Sequence, residues 1–203
     1  YVDMYKAYED IARERSLTAD ERKEMKLYNK LADACTPLAK GLSSEYCNQN
    51  AYDAIQIHGG SGFMKDYACE RVYRDARITS IYEGTTQLQV VAAIRHVLTG
   101  TYAQLVEGYK AMTVAPELEA QVKILDEMFA KYQKAVDHVK EVNEAEYTDF
   151  MARRLVEMAG DCVMGWLLVT DASRSLGSAD ADVAAAAAAL ARSPTGYVHL
   201  SAE

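Results

Sequence analysis

Proline is scarce, with three among 203 residues, and no stretch of the sequence is broken by it often enough to prevent long helices. A chain that is 50% hydrophobic, 26% charged and rich in alanine has the balance of a soluble, largely helical protein with little or no sheet. No apolar run reaches the roughly 18 residues that a membrane-spanning helix needs. A basic start followed by an apolar stretch is also missing, so no signal peptide is visible. The chain opens at Tyr1-Val2-Asp3 without Met, as expected of a piece of a longer protein. Blocks of Lys or Arg are absent and the formal net charge is −8, which argues against nucleic acid as a partner. The same charge excludes overall steering of an anionic ligand, so any anion site must rest on local backbone amides and a few basic side chains. Cys35, Cys47, Cys69 and Cys162 show no CxxC or Cys/His metal spacing. They read as reduced, packed thiols of a cytoplasmic protein, with no metal site.

What is present is helical periodicity. Apolar residues recur at helical spacing from Tyr5 to Ile11 and from Glu21 to Leu31, and Thr18-Ala19-Asp20-Glu21 has the form of a capping box. Thr36-Pro37 reads as the start of a further helix that runs to about Ile57. Glycines at 59, 60 and 62 predict a loop over 58–62. A short helix from Tyr67 to Arg77, a second loop from Ile78 to Gly84, and a helix from Thr86 to Leu98 follow, the last with capping-box spacing at Thr86 and Gln89. After Gly100 a second unit begins, its main body starting at Pro116. Leu118, Val122, Leu125, Phe129, Tyr132, Val136 and Val139 form a heptad-like stripe, which needs a partner helix. Residues from Tyr147 through Leu155, Cys162 and Trp166 to Val169 provide one. Asp182 to Ala191 is a nearly pure alanine helix with little apolar area to anchor it. No internal repeat is evident.

Two segments carry candidate chemistry. In Gln56-Ile57-His58-Gly59-Gly60-Ser61-Gly62, glycines at a helix end let a ligand or another chain approach the backbone, although a structural turn has the same composition. In Ile81-Tyr82-Glu83-Gly84-Thr85-Thr86-Gln87, a carboxylate lies between an apolar pair and a helix start. Burial against Ile81 and Tyr82 raises a carboxyl pKa and a helix N-terminus lowers it, opposed effects that can poise a general base. The alternative is a carboxylate that serves only the helix dipole, with Thr85 or Thr86 as cap. His58 has no carboxylate at nucleophile-base spacing and reads as a positional residue.

In this order and at this separation, the glycine segment with Asp66, Arg71 and Asp75, and the tetrapeptide Tyr82-Glu83-Gly84-Thr85, resemble the acyl-CoA dehydrogenase family. The resemblance covers about residues 1–99 and implies an all-α fold: the family's four-helix-bundle-like C-terminal domain over 1–100, then a second helical bundle over 101–203. It further implies an FAD-dependent oxidoreductase of fatty acid metabolism. Glu83 would remove the α-proton of an acyl-CoA thioester as hydride leaves the β-carbon for the flavin, giving a trans-2-enoyl-CoA. Gly84 would lie against the thioester. Thr85 and Gln87 would contact FAD, and Gln56, Ile57, His58, Gly59 and Gly60 would contact the FAD of a neighbouring subunit. An electron-transferring flavoprotein as partner and a homo-oligomeric state are implied as well.

The family's N-terminal helical and middle β-domains are not in this sequence, so the chain alone is expected to be inactive. The position after Thr85 is Thr86 where Ser or Asn is common, a conservative change for a cap. Residues from about Thr101 to Glu203 look like the helical extension of larger members, with an oligomerisation or packing role and without the basic amphipathic stripe of a membrane-binding segment. Two other functions fit the same residues: an acyl-CoA oxidase, which shares the base but admits oxygen, and a non-catalytic helical oligomerisation or interaction module.

Overall fold

A computed structural model of the chain describes residues 1–177, of which about 85% are helical and none lie in strands. The all-α class follows from the composition, as expected. The alanine-rich segment from Asp182 to Ala191 lies outside the described residues. The chain divides into two compact units, residues 1–93 and residue 94 onward.

In the first unit α1 (Val2–Glu14) packs on α2 (Ala19–His58), and α3 (Gly60–Phe63) and α4 (Ala68–Ile78) return along α2. The predicted capping box opens α2: the Glu21 amide donates to Thr18 Oγ1 at 3.2 Å and the Thr18 amide to Glu21 Oε2 at 2.8 Å. Arg15 clamps the same carboxylate with two hydrogen bonds of 2.6 and 2.9 Å. The guanidinium and the Thr18 amide together hold the Glu21 carboxyl down to about 2. No residue of α1 is buried, so this helix is held by edge contacts such as the Tyr8–Tyr28 rings, 6.2 Å apart.

The sequence places a helix start at Thr36-Pro37, and the structure does not. Helix α2 continues through Pro37 for 40 residues, a length of about 60 Å at 1.5 Å per residue. Interior proline forgoes a backbone hydrogen bond. Here Pro37 is itself buried, in a row with Leu31, Ala34, Leu38 and Leu42, so an apolar face that runs across the proline holds both halves in register. The hydroxyl of Thr36 donates to Ala32 O at 2.8 Å and so behaves as a mid-helix residue, not a cap.

The glycine segment is also less open than a loop. A single break at Gly59, with φ 61° and ψ −142°, ends α2, and Gly60–Phe63 forms one further helical turn. Only a residue without Cβ adopts that backbone cheaply.

In the second unit α6 (Thr101–Lys110) and a 3-10 turn (Pro116–Leu118) precede two long helices, α7 (Glu119–Val142) and α8 (Ala145–Leu176). The α7–α8 connection is only Asn143 and Glu144, Asn143 adopting the left-handed conformation at φ 52°. So short a link forces an antiparallel pair. The register confirms it: His138 meets Tyr147 near the turn, and Leu125 meets Gly165 about four to five turns further along. Of the predicted stripe, Leu118, Leu125, Phe129, Tyr132, Val136 and Val139 are buried, while Val122 is half-exposed and Gln121 is buried in its place. They face Leu155, Cys162, Trp166 and Val169 as anticipated. Burial pushes the Cys162 thiol up to about 12. All four cysteines are free, but Cys47 is exposed and not packed as its apolar-looking surroundings suggest.

Positions along α8 differ in how firmly they are held. Leu155→Ala, at a site with 0% exposure, should cost about 2–5 kcal/mol. Phe150→Ala, at a site 71% exposed, should change stability by less than about 0.5 kcal/mol. Urea unfolding of the 203-residue chain, followed by far-UV circular dichroism, measures both.

Candidate functional site

The Glu83 segment connects α4 to α5 (Thr86–Leu98). The turn is built by Ile81 and Tyr82 amides donating to Ile78 O at 2.9 and 3.1 Å, and by the Thr86 amide donating to Ser80 O at 3.3 Å. Glu83 and Gly84 then adopt positive φ in succession, 53° and 89°. Glycine tolerates this and glutamate does not, so Glu83 sits in a conformation that costs on the order of 1–3 kcal/mol. Such strain persists only where surrounding contacts impose it.

Those contacts come from one face of α2. Lys40 Nζ donates to Gly84 O at 2.6 Å, and the same ammonium lies 5.9 Å from the centre of the Tyr82 ring. Thr86 Oγ1 donates to Glu45 Oε1 at 2.6 Å, and Asn48 Nδ2 reaches Thr79 Oγ1 at 3.4 Å. Gly41 lets α5 close on this face, since a Cβ there would come within 3.3 Å of Gln89 Cβ. From α5, Gln89 Nε2 reaches back to Gly84 O at 3.3 Å and Glu83 O at 3.4 Å. Gln89 therefore does not close a capping box with Thr86. The cap is Thr85, whose hydroxyl accepts from the Leu88 amide at 3.4 Å.

The cap at Thr85 is compatible with either sequence reading of Glu83. Thr85 takes the capping role, and no described side chain bonds the Glu83 carboxylate. The expected burial is absent too: Glu83 is exposed, and Ile81 and Tyr82 are 45% and 50% exposed. Among the described residues nothing folds over the carboxylate. Thr85 and Gln87 are likewise exposed and Gly84 is half-buried beneath Lys40.

At the other segment, Gln56, Ile57, His58, Gly59 and Gly60 are all exposed, Ile57 to 84%. His58 Nδ1 is spent on Ala54 O at 2.8 Å, one turn back in its own helix, which fits the positional reading. The glycines have different reasons to be there. A Cβ on Gly62 would stand 2.7 Å from Ile55 O and 2.8 Å from His58 Cβ, so Gly62 serves the packing of α3 on α2. Gly59 serves the backbone break. Gly60 has an ordinary φ, and a Cβ there would meet nothing within 4 Å. Nothing among the described residues requires glycine at 60.

The structure does not bring the two segments together. Lys40, which holds Gly84, and His58 are separated by 18 positions of continuous α2, about 27 Å along the axis at 1.5 Å per residue. One copy of the chain presents two separate edges. Apolar side chains flank both: Ile57, Phe63 and Met64 at the first, Ile81, Tyr82 and Leu88 at the second, each between 45% and 84% exposed. Among the described residues no group of His, Cys, Asp or Glu is arranged to hold a metal ion, and no helix is long and apolar enough to cross a membrane.

Comparison with known proteins gives the family. A profile described as "Acyl-CoA dehydrogenase, C-terminal domain" matches residues 11–98, and one described as "Acyl-CoA dehydrogenase C terminal" matches residues 98–191. The chain belongs to the acyl-CoA dehydrogenase family. It carries that family's C-terminal helical region, and the Glu83 and glycine segments both fall within the first match. An acyl-CoA dehydrogenase of Bacillus subtilis is 47% identical over 64 residues, 32% of this chain and 17% of that protein. The caffeyl-CoA reductase-Etf complex subunit CarC of Acetobacterium woodii is 54% identical over 52 residues, 26% of this chain and 14% of that protein. The broad-specificity linear acyl-CoA dehydrogenase FadE5 of Mycobacterium tuberculosis is 28% identical over 175 residues, 78% of this chain and 28% of that protein. The chain thus spans less than a third of the length of these relatives.

Lys40, Glu45 and Asn48 were not legible as site residues. Their only signal is polar residues at 40, 45 and 48 on one helix face, which reads equally well as a solvated surface.

The glycine roles separate experimentally. Gly62→Ala pushes a methyl against a backbone carbonyl and should cost about 1–3 kcal/mol. Gly60→Ala should leave stability within about 0.5 kcal/mol. Thermal unfolding of the two variants beside the unsubstituted chain is the measurement.

Proposed function

We propose that Glu83 is the proton-transferring carboxylate of a flavin-dependent acyl-CoA dehydrogenase, of which this chain forms the C-terminal region. The observation that carries this reading is the backbone at Glu83. Glu83 is held at φ 53° and exposed, the cap of α5 is supplied by Thr85, and no described side chain bonds the Glu83 carboxylate. Strain of that kind is characteristic of functional positions. An exposed carboxylate is suited to abstract the acidic proton α to a thioester carbonyl once a substrate and the remaining walls of the pocket surround it. Gly84 beside it admits the Gln89 amide, which would stand 2.8 Å from a Cβ there, and the thioester contact at Gly84 rests on the family resemblance. As a dehydrogenation, the reaction moves the α-proton to a Glu83 oxygen and a hydride from the β-carbon to a bound oxidant.

FAD, when bound, supplies that hydride acceptor. The residues present fit such a group: at Gly60 a Cβ has open space, so the backbone is free to lie against a pyrophosphate, with Gln56, Ile57 and His58 exposed beside it. Thr85 and Gln87, at the start of α5, are exposed on the edge that carries Glu83. The distance between the two segments along α2 supports an arrangement in which each contacts a different flavin. Glycine segment and base would then belong to two sites of one oligomer, which accounts for the apolar surface left open at both edges.

A second reading concerns direction. One relative is named a caffeyl-CoA reductase in a complex with Etf. The same carboxylate, protonated, would deliver the α-proton to an enoyl-CoA, because forward and reverse reactions share a transition state. An electron-transferring flavoprotein is the proposed partner in either direction. Access of oxygen to the reduced flavin would make the protein an oxidase instead, and the same experiment distinguishes the three.

The test uses the full-length polypeptide. Acyl-CoAs of graded length, added without oxygen, should bleach its flavin, and Glu83→Gln should slow the bleaching by about 10²- to 10⁴-fold. Enoyl-CoAs added to chemically reduced protein, and oxygen added after bleaching, report the reductase and oxidase readings. Gly60→Ala should retain less flavin per subunit than the unsubstituted protein although its fold is intact, measured by absorbance after gel filtration. Equal bleaching without Glu83 would leave the helical assembly module as the better account.

A further inference from the structure

Resting on the reading of Glu83 as the base, we infer that Lys40 is a positioning residue for it, acting through the Gly84 carbonyl from a helix that lies 44 residues away in sequence. The bond from Lys40 Nζ to Gly84 O is 2.6 Å, and the lysine is half-buried, so a charged donor is spent on one backbone acceptor. That acceptor belongs to the second of two successive positive-φ residues. Rotating the Gly84 carbonyl away from Lys40 turns the Gly84–Thr85 peptide, and with Thr85 fixed as the cap of α5 the compensating rotations fall on the dihedrals of Gly84 and Glu83. The strained φ of Glu83 and the direction of its side chain are therefore tied to a fixed point on α2.

The other anchors of the segment do not duplicate this role. Glu45 holds Thr86 and Asn48 approaches Thr79, so they fix the two ends of the turn. Gln89 reaches the Glu83 and Gly84 carbonyls only at 3.4 and 3.3 Å, as a neutral donor. Lys40 alone among these contributes a short, charge-assisted bond at the centre of the left-handed pair, and its ammonium also lies over the Tyr82 ring on the other side of Glu83. Its head group thus touches both neighbours of Glu83 in sequence.

The experiment compares Lys40→Met, Lys40→Gln and Lys40→Arg in the full-length flavoprotein, with Glu83→Gln as reference. Lys40→Met should lower the rate constant of anaerobic flavin reduction by about 10- to 100-fold, the size of effect a displacement of about 1 Å produces at a reacting group. Acyl-CoA affinity, titrated on the Glu83→Gln background, should change by less than about threefold, since most of the ligand's contacts lie elsewhere. Hydrogen exchange at residues 79–86 should quicken in Lys40→Met, and Lys40→Arg, which keeps a cationic donor of sufficient reach, should restore both exchange and rate. Should Lys40→Met fail to fold, Lys40→Gln, polar but too short to reach Gly84 from the same backbone, carries the same expectations. An unchanged reduction rate in both short variants, or a loss that arginine does not repair, would overturn the inference while Glu83→Gln remains inactive. If Glu83→Gln still bleaches, the reading of the base fails first, and hydrogen exchange alone then decides whether Lys40 holds the turn.

Discussion

A proline inside a helix removes one backbone donor and crowds the carbonyl four residues back, a penalty of about 3 kcal/mol or more. Helix α2 bears that penalty at Pro37 and runs on to His58. Everything that positions the site in the first unit depends on this continuity. The glycine segment is the C-terminal end of α2, and the turn bearing Glu83 is tied to the middle of the same helix by Lys40, Glu45 and Asn48. Had the helix broken at residue 36, the buried row from Leu31 to Leu42 would be cut in two, and Lys40 would stand in a first turn, where helices fray. The helix is therefore a ruler that fixes how far apart the two candidate segments lie.

Separation explains what this chain does with its surface. Apolar side chains cluster at both edges and remain exposed, Ile57 and Phe63 most of all. A monomeric protein rarely leaves such patches open. The matched relatives are several times longer than the stretch they share with this chain, and the proposed function leaves room for other parts of a longer polypeptide and for other subunits at those edges. Glycine usage tells the same story from inside. Gly62 is explained by its own neighbours and Gly59 by its φ, whereas Gly60 is explained by neither.

The second unit is governed by a different constraint, the burial of one continuous face. Its two long helices were readable because steps of three and four along α7 meet a like pattern on α8, and Asn143 with Glu144 leaves no choice but an antiparallel return. The one substitution in the stripe, Gln121 buried for Val122, is a rotation by a single residue at the start of α7, where the 3-10 turn at Pro116–Leu118 winds more tightly than the helix it leads into.

The sequence by itself determined the helical class, the capping box at Thr18 and most of the α7–α8 stripe, and it singled out the two segments proposed to carry the chemistry. These are local properties: periodicity, cap spacing and a motif each declare themselves within a dozen residues. Tertiary structure decided the rest. Whether Pro37 starts a helix or is carried through one depends on an apolar face that spans it. Thr85, and not Thr86, caps α5 because Gln89 is drawn away to the Gly84 carbonyl. That Lys40 holds Gly84 is a contact over 44 positions of chain, fixed only when α2, α4 and α5 are folded together. No local pattern distinguishes such a lysine from one that merely faces water.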